Sequence, residues 1–292
     1  MNDDMGGGLI GGMDGTARPR LSIVIVTFNS RADIDACLTS LAAHPPAVTH
    51  EIVVVDNASP DGTADAVRDR WPGVRVIDAG GNAGFAAANN LGITQTAGEL
   101  VLLLNPDTVV PGGAIDTLAA ALDRRPDAAA AGPRLIDAAG RAELSFGAMV
   151  APFAELRQKV LVSGHARGLP VLAAHVERLT RVARDTDWVS GACLLVRRAD
   201  AEAAGLLDEH YFMYLEDVDF CAAIRARRRA VLFVPDAEVI HRRGGSRRSA
   251  ASASDRAYRR GQVAFYEKHH PRWAPVLRAY LRLRGRYTSP TQ

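Results

Sequence analysis

The chain has 292 residues, of which 48% are hydrophobic and 23% charged, a composition typical of a globular protein with one large core. Its apolar runs all fall far short of the ~20 residues that a membrane-spanning helix needs, so we predict a protein that does not cross a bilayer. Three cysteines, Cys37, Cys193 and Cys221, lie far apart, which argues against a disulfide framework or a zinc site and favours a reducing, cytoplasmic setting.

The first hundred residues predict a leader followed by alternating strands and helices. Residues 1–20 are rich in Gly and Asp and contain no apolar core of signal-peptide length, so we predict a disordered leader. Apolar, β-branched runs at 21–29, 51–59, 74–80 and 100–104 predict strands. The patterns at 30–45 and 61–70 predict helices between them, and 82–98 predicts a loop that enters a helix. This alternation indicates an α/β fold with a doubly wound, mostly parallel sheet that is covered on both faces.

The second half of the chain continues the alternation less regularly. We predict a helix at 112–126, a strand at 128–137, helical structure at 148–185, a strand at 188–198, a helix and turn at 199–209, a loop and helix at 211–228, and a strand and loop at 230–246. The segment 148–185 is amphipathic, with Phe153, Leu156, Val160 and Leu161 on one stripe. We therefore expect one main domain over 21–253, with halves at about 21–110 and 111–253, and a basic helical extension over 254–292.

The charge is divided along the chain. Residues 225–292 contain 17 Arg and Lys against 4 Asp and Glu, whereas residues 1–224 contain 18 against 29. Such a basic segment can bind nucleic acid, an anionic membrane or a phosphorylated ligand, or it can be a solvated arginine-rich face. A nucleic-acid-binding tail would place aromatic residues among the arginines, but residues 225–253 contain only Phe233, so we expect no nucleic-acid partner.

The ends of the predicted strands are the first place to look for a site. The first strand ends in VTFNSR, which lacks the glycines of a dinucleotide-binding GxGxxG turn and of a P-loop. Phosphate groups of a nucleotide would then be held in another way, and a divalent ion on strand-end carboxylates is the obvious candidate. Asp107 follows the buried run at 100–104 almost directly, where the ligand crevice of an open α/β sheet forms.

Six motifs stand in the order of a known family: SIVIVTFNS, EIVVVDNASPDGT, GNAGFAAANNLGI, LLLNPDTVV, DWVSGACLLVRR and YFMYLEDVDFCAAIRARR. Over about residues 20–270 the chain resembles the family-2 glycosyltransferases of the GT-A fold, and most closely their bacterial rhamnosyltransferase-like branch. The resemblance implies an inverting, metal-dependent hexosyltransferase with a nucleotide-sugar donor.

The resemblance also implies which residues hold the donor. In the family, the loop after the first strand and an acidic residue that ends the second strand bind the nucleoside. The acidic residue here is Asp56, which can accept a hydrogen bond from the imide N–H of uracil or thymine. The predicted nucleotide-sugar-binding residues are Thr27, Asn29, Asp56, Asn57, Asn82, Gly84, Asn89, Asn105 and Asp107, and we expect Asn90 to contribute with Asn89. Two alternatives stay open: Asp56 can cap the next helix, and residues 82–90 can be a plain loop and helix.

The metal motif of the family corresponds to Asn105-Pro106-Asp107, where Asn105 replaces the first carboxylate of Asp-x-Asp. Asp107 is therefore predicted as the direct ligand of Mg²⁺ or Mn²⁺, and His241 as a second ligand, because some relatives use a histidine in this location. A structural turn at Asp107 and a structural His241 are the alternatives. Four arginines, Arg242, Arg243, Arg247 and Arg248, follow His241, and at least one is expected to bind the diphosphate.

The densest acidic cluster is YLEDVDF, which contains Glu216, Asp217 and Asp219. Inversion needs one base that takes the proton of the acceptor hydroxyl. We assign this catalytic base to Asp217, with Glu216 as the alternative, although a helix N-terminus also favours acidic residues for electrostatic reasons. Trp188 and Gly191 are predicted to line the acceptor side, and a buried core role for Trp188 is equally open.

The predicted function is the transfer of a single sugar, L-rhamnose, from a dTDP- or UDP-sugar to a cell-envelope glycan or a polyprenyl-diphosphate-linked acceptor. The sequence has no Gln-x-x-Arg-Trp motif of the processive synthases. The alternatives are a nucleotide-binding module with a nucleic-acid-binding tail and a sugar nucleotidyltransferase, but the latter would need a lysine-rich phosphate loop and the chain has only Lys159 and Lys268.

Residues 255–292 are a candidate for peripheral attachment to the anionic inner face of the cell membrane. The predicted apolar anchors are Val263, Phe265 and Tyr266, flanked by basic residues. The alternative is that these apolar side chains pack the helix against the main domain. A homodimer is a further assembly that the sequence allows.

Overall fold

The computed structural model describes residues 18–242 and 251–284 and contains helices packed on both faces of a central sheet. The strands are β1 (Leu21–Thr27), β2 (His50–Asp56), β3 (Arg75–Asp78), β4 (Leu100–Leu104), β5 (Thr108–Val109), β6 (Ala128–Ile136), β7 (Phe146–Gly147), β8 (Arg184–Thr186), β9 (Trp188–Val189), β10 (Cys193–Arg197) and β11 (Ala230–His241). The helices are α1 (Arg31–Ala43), α2 (Thr63–Arg70), α3 (Phe85–Thr94), α4 (Ala114–Arg124), α5 (Pro152–Ala166), α6 (Pro170–Leu179), α7 (Arg198–Ala203), α8 (Glu216–Ala226), α9 (Ala251–His269) and α10 (Ala274–Leu283).

The central sheet has the strand order β3-β2-β1-β4-β10-β6-β11-β5, with β8 paired to β11. Strands β3, β2, β1 and β4 are parallel, β10 runs antiparallel between β4 and β6, and β6 and β11 are parallel again. The predicted α/β class with a mostly parallel sheet is confirmed.

Each face of the sheet is covered by a separate hydrophobic core. In β1, Ile23 and Ile25 face the core that contains α1 and α4, whereas Val24 and Val26 face the core that contains α3, α8 and α9. This alternation is the period of two that a pleated strand imposes. Because the side chains on both faces of these strands are buried, the strand sequences are continuous apolar runs. This is why the strands could be predicted from the sequence.

The strand predicted at 188–198 is two strands in different sheets. Residues Trp188–Val189 form β9, which pairs with β7 in a small two-stranded sheet, and Cys193–Arg197 form β10 in the central sheet. The chain turns at residues 190–192, and Gly191 is part of that turn. The break brings Gly191 to the carboxyl edge of the parallel strands.

The segment predicted as helical over 148–185 contains two helices, α5 and α6, followed by β8. Gly168, with φ of 69°, and Pro170 separate the helices. Val160 is exposed, so it does not lie on a buried stripe as predicted. The side chains of Phe153 and Leu156 lie outside the described residues.

The C-terminal extension is part of the fold. Val263, Phe265 and Tyr266 on α9 are buried, and Phe265 and Tyr266 belong to the core that covers α3 and α8. The predicted use of these three side chains as membrane anchors is therefore wrong, because packing against the main domain has already taken them out of water. A second helix, α10, follows, which the sequence analysis did not predict. Among the described residues, no helix combines the length and the apolar character that spanning a bilayer requires.

Candidate active site

Three loops meet at the carboxyl edge of the parallel strands. The register pairs Thr27 with Asp56 at the ends of β1 and β2, and Ile25 with Leu104 next to the end of β4. The loops that follow these strands are therefore neighbours, although they lie far apart in the sequence. This is the edge at which an open α/β sheet forms its ligand crevice.

Asp56 is buried at this edge and its carboxylate is held by hydrogen bonds from two residues. Oδ1 accepts from Thr27 Oγ1 at 2.8 Å and from Ser59 Oγ at 2.6 Å, and Oδ2 accepts from the Ser59 N–H at 2.8 Å. The Thr27 hydroxyl is thus committed to orienting Asp56. Helix α2 starts at Thr63, whose N–H donates to Asp61, so the alternative that Asp56 caps this helix is wrong. Asp56 closes the turn over residues 56–59 instead.

Asn29 lies beside this turn. It is exposed, its φ is 54°, and its N–H donates to Ser59 Oγ at 3.0 Å. A non-glycine residue in the left-handed region is uncommon, and asparagine tolerates it better than most residues. The backbone conformation leaves the Asn29 side chain at the rim of the crevice.

Three predicted amides converge on the turn that starts α3. Asn57 Nδ2 donates to the Gly84 carbonyl at 3.2 Å, Asn82 Oδ1 accepts from the Gly84 N–H at 3.3 Å, and Asn89 Nδ2 donates to the Phe85 carbonyl at 2.9 Å. The Oδ1 atoms of Asn57 and Asn89 are buried and have no hydrogen-bond partner among the described residues. A buried polar atom without a partner is costly, and an ordered water or a bound ligand would satisfy each of these two oxygens.

Gly84 occupies a position that only glycine fits. Its φ is 90°, and a Cβ there would collide with the carbonyl oxygen of Phe212. The close approach allows the Phe85 N–H to donate to that same oxygen at 2.8 Å. Because Phe212 belongs to the loop before α8, this turn joins the predicted donor loop to the acidic cluster.

Asn90 does not take the role predicted for it. Its Nδ2 donates to the Leu207 carbonyl at 2.8 Å and to Glu209 at 2.9 Å, and its Oδ1 accepts from the Leu207 N–H. The amide thus ties α3 to the loop after α7. These contacts within the protein are sufficient to explain an asparagine at position 90, and no contact with a nucleotide is needed.

Asp107 and His241 are brought together by strand pairing. The short strand β5 runs antiparallel to the end of β11, with Thr108 opposite His241, and the Arg242 N–H donates to the Asp107 carbonyl at 2.8 Å. Asp107 Oδ1 and His241 Nε2 are 3.3 Å apart. On the other side of the ring, His241 Nδ1 lies 3.2 Å from Glu143 Oε2. Burial opposes the charged imidazolium, but the hydrogen bonds to Asp107 and Glu143 outweigh it and raise the pKa of His241 to about 9.

The donor set at this point suits a divalent ion. A carboxylate oxygen and an imidazole nitrogen face each other, and two ligands of one octahedral ion at about 2.1 Å lie about 3 Å apart. Within residues 18–242 and 251–284 there is no group of three or more His, Cys, Asp or Glu that would hold a metal unaided. An ion here would take its other ligands from a bound diphosphate and from water, as Mg²⁺ commonly does.

The sequence analysis missed two acidic residues beside this pair. Glu143 lies 98 positions from His241 and orients its ring, and Asp33 is in the first turn of α1. Burial and the nearby charge of Asp107 raise the pKa of Asp33. Neither residue belongs to a motif. The only sequence signal for Asp33 is its position in the first turn of the predicted helix α1. Arg243, Arg247 and Arg248 lie outside the described residues.

The acidic cluster opens helix α8 after a strained turn. Tyr214 and Leu215 both have positive φ, at 72° and 71°, immediately before Glu216 and Asp217. Consecutive non-glycine residues in this region store strain, which concentrates at functional sites. Glu216 is buried and its Oε2 has no hydrogen-bond partner among the described residues, whereas Asp217 is partly exposed.

Asp217 is held in place by two backbone amides. Oδ2 accepts from the Gly191 N–H and Oδ1 from the Val218 N–H, each at 2.8 Å. Burial raises the pKa of Asp217, and burial together with the charge of Asp217 raises that of Glu216 further. Of the pair, Glu216 therefore has the more strongly raised pKa.

The turn at 190–192 connects this carboxylate to the metal motif. The Asn105 N–H donates to the Ala192 carbonyl at 2.9 Å, and the neighbouring Gly191 N–H donates to Asp217. Asp217, Gly191 and the Asn105–Asp107 loop thus form one contiguous site. Trp188 does not join it: the indole is buried and its Nε1 donates to the Ala148 carbonyl at 3.0 Å, which favours the core role over the predicted stacking role.

Asp219 faces away from Asp217 and serves the packing of α9. Its Oδ2 accepts from Lys268 Nζ at 2.8 Å, and its Oδ1 lies 2.6 Å from His269 Nε2. Only two of the three clustered carboxylates are therefore candidates for the chemistry.

Comparison with known proteins shows the family of the chain. Residues 22–159 match the family model described as glycosyl transferase family 2. The chain is 34% identical over 283 residues, 91% of each chain, to the N-acetylglucosaminyl-diphospho-decaprenol L-rhamnosyltransferase of Mycobacterium tuberculosis. It is also 29% identical to the low-salt glycan biosynthesis hexosyltransferase Agl10 of Haloferax volcanii, over 72% of this chain and 62% of that protein.

Solved structures share the fold. The mannosyltransferase PcManGT from Pyrobaculum calidifontis, in complex with GDP-Man and Mn²⁺, superposes with a TM-score of 0.60 at 21% identity, covering 91% of this chain and 70% of that one. S. aureus TarS 1-349, in complex with UDP-GlcNAc, gives a TM-score of 0.59 at 18% identity, covering 84% and 65%. Both likenesses concern the architecture of the sheet and its helices.

Proposed function

The chain belongs to glycosyl transferase family 2, and from that premise we propose that it transfers a single L-rhamnosyl unit from a dTDP- or UDP-linked donor to a polyprenyl-diphosphate-linked glycan acceptor of the cell envelope. The observation that carries the proposal is the contiguity of Asp217, Gly191 and the Asn105–Asp107 loop, which sets a candidate base beside a candidate diphosphate site. The mycobacterial rhamnosyltransferase, similar over nearly its whole length, supports the choice of sugar and acceptor.

On the donor side, Asp56 would bind the base of the nucleotide. A carboxylate has about four acceptor positions, and the described hydrogen bonds from Thr27 and Ser59 use three of them. The remaining position suits the imide N–H of uracil or thymine. The partnerless oxygens of Asn57 and Asn89 would accept from donor hydroxyls.

Asp107 and His241 would hold the divalent ion, Mg²⁺ or Mn²⁺. When bound there, the ion neutralises the charge that develops on the departing nucleoside diphosphate. Glu143 keeps the Nδ1 side of the His241 ring occupied, so that Nε2 faces Asp107.

Asp217 would act as the base. Its partial exposure would allow the ionised carboxylate to take the proton of the acceptor hydroxyl while that oxygen attacks the anomeric carbon opposite the leaving group, which would invert the configuration. The two backbone N–H groups of Gly191 and Val218 fix its orientation. Because the acceptor we propose is lipid-linked, the enzyme would work at the cytoplasmic face of a membrane.

A transfer assay with defined substrates tests this function. dTDP-L-rhamnose, UDP-sugars and GDP-mannose are offered in turn with a short-chain N-acetylglucosaminyl-diphospho-polyprenol, with Mn²⁺ or Mg²⁺ and with EDTA. We expect a metal-dependent, inverted rhamnosyl product from the pyrimidine donor, and none from the variant Asp107→Ala. Transfer of a different sugar, or a retained anomeric configuration in the product's NMR spectrum, would refute the proposal.

A further inference from the structure

Helix α10 exposes an apolar stripe to solvent. Trp273, Val276, Tyr280 and Leu283 are 46%, 56%, 52% and 90% exposed. Their spacing of three and four residues places them on one face of the helix. The adjacent face carries Ala274, Leu277 and Leu281, which pack towards the core, so α10 contacts the protein through this face. We call the exposed side the α10 apolar face.

The surroundings of this face are basic. Arg272, Arg282 and Arg284 are exposed, and the guanidinium of Arg284 lies 5.5 Å from the centroid of the Tyr280 ring. From residue 268 to the end of the sequence there are six Lys and Arg residues and no Asp or Glu, and of the six, Lys268 and Arg278 form ion pairs with acidic residues earlier in the chain. An apolar stripe with a tryptophan and a tyrosine, bordered by arginines, has the composition of a helix that lies in a membrane interface.

We propose that the α10 apolar face docks onto an anionic lipid bilayer. A bilayer surface offers apolar chains for the stripe and phosphate groups for the arginines. A second copy of the chain fits less well, because a two-fold contact through this face would set arginines against their own counterparts. The inference goes beyond the proposed function, since docking requires neither donor nor acceptor.

Vesicle sedimentation tests the proposal with the full-length protein. Vesicles of phosphatidylcholine alone are compared with vesicles in which phosphatidylglycerol makes up a third of the lipid, over a salt series. We expect binding only to the anionic vesicles, weakening as salt rises. Arg272→Glu combined with Arg284→Glu should lower the partition coefficient at least about 25-fold, or about fivefold for each positive charge removed. Leu283→Ser should lower it about tenfold or more.

Two matched variants and one spectroscopic signal complete the experiment. Val171→Ser, at a valine on α6 that is 81% exposed, and Arg124→Glu, at an exposed arginine on α4, should leave binding unchanged. Trp71 is half-buried and Trp188 buried, so a blue shift of tryptophan emission and quenching by brominated lipid would report Trp273.

Three results would overturn the proposal: no binding to anionic vesicles at low salt, equal binding to both vesicle types, or full binding by the α10 variants. A dimer in light scattering that Leu283→Ser dissociates would reassign the face to a second copy. Transfer to the short-chain acceptor in the absence of vesicles should be unchanged in the α10 variants, so failure of vesicle binding and failure of the transferase proposal are distinguishable.

Discussion

Replacing Gly261 with alanine should damage catalysis more than stability. Gly261 lies on α9, and a Cβ at this position would be 2.5 Å from the carbonyl oxygen of Tyr214 and 3.5 Å from that of Met213. An ordinary C···O contact begins near 3.3 Å, so helix and loop would have to separate by about 0.8 Å. Tyr214 belongs to the strained turn before Glu216 and Asp217, and a shift of the turn would displace the proposed base.

The two effects of Gly261→Ala have different expected sizes. A misplacement of about 1 Å in a catalytic group can cost ~10²-fold in rate, so we expect kcat to fall by 10-fold to 100-fold. Overpacking costs about 1–3 kcal/mol, while alanine in a helix interior regains about 1 kcal/mol relative to glycine. The free energy of unfolding should therefore fall by only about 0–2 kcal/mol.

Steady-state rhamnosyl transfer and urea unfolding measure these two quantities. The control is Gly164→Ala in α5, because the three atoms nearest to the added Cβ all belong to the Leu172 side chain, which would have to shift, and none belongs to the turn before Glu216. That variant should keep the wild-type kcat. If Gly261→Ala also keeps it, with unchanged KM for donor and acceptor, the contact between α9 and the turn does not position the base.

The other predictions concern the two ends of the site. Asp107→Ala should abolish Mn²⁺-dependent nucleotide binding in calorimetry with little change in Tm, and wild-type transfer rates in Mn²⁺ would contradict the metal assignment. Asp217→Asn should lower turnover ~10²-fold or more with donor binding unchanged, whereas a loss confined to Glu216→Gln would move the base by one residue. Because burial raises the pKa of Asp217 above 3.8 and the base acts in its ionised form, kcat/KM should rise with pH along an acid limb that lies higher than that of an exposed aspartate. Glu143→Gln should weaken Mn²⁺ affinity about 10–100-fold through the orientation of His241, and an unchanged Kd in titrations with the nucleotide diphosphate would show that Glu143 has no such role.

The parts of the site that follow strand ends were predictable from sequence. An apolar run followed by a polar turn marks the carboxyl edge of a parallel strand, and this pattern predicted the position of Asp107, whereas Asp56 was suggested by the family resemblance. The expectation that the chain is a family-2 glycosyltransferase is confirmed by its relatives. The pairing of β5 with β11 could not be predicted, because a two-residue strand has no pattern, and so His241 was suggested only by resemblance.

The errors share a physical cause. Side-chain chemistry alone does not show which partner a polar group will find, and Asn90, which was expected to contact the nucleotide, forms its hydrogen bonds with Leu207 and Glu209. Likewise, the apolar side of α9 satisfied a membrane pattern and a core pattern equally well. Only the tertiary contacts distinguish a membrane-facing side chain from a core side chain, and the local sequence does not show these contacts.

The position of β10 in the sheet has a consequence for how the molecule is made. Strand β4 is complete at residue 104, but the neighbour that covers its free edge begins at residue 193, almost 90 residues later. At 5–20 residues per second, a ribosome leaves that apolar edge unpaired for roughly 4–18 s. An uncovered strand edge of this kind is a template for pairing with another chain, so we expect the nascent chain to be prone to aggregation during that interval. For the same reason, we expect a fragment that ends before β10 to leave one edge of the apolar strand β4 unpaired.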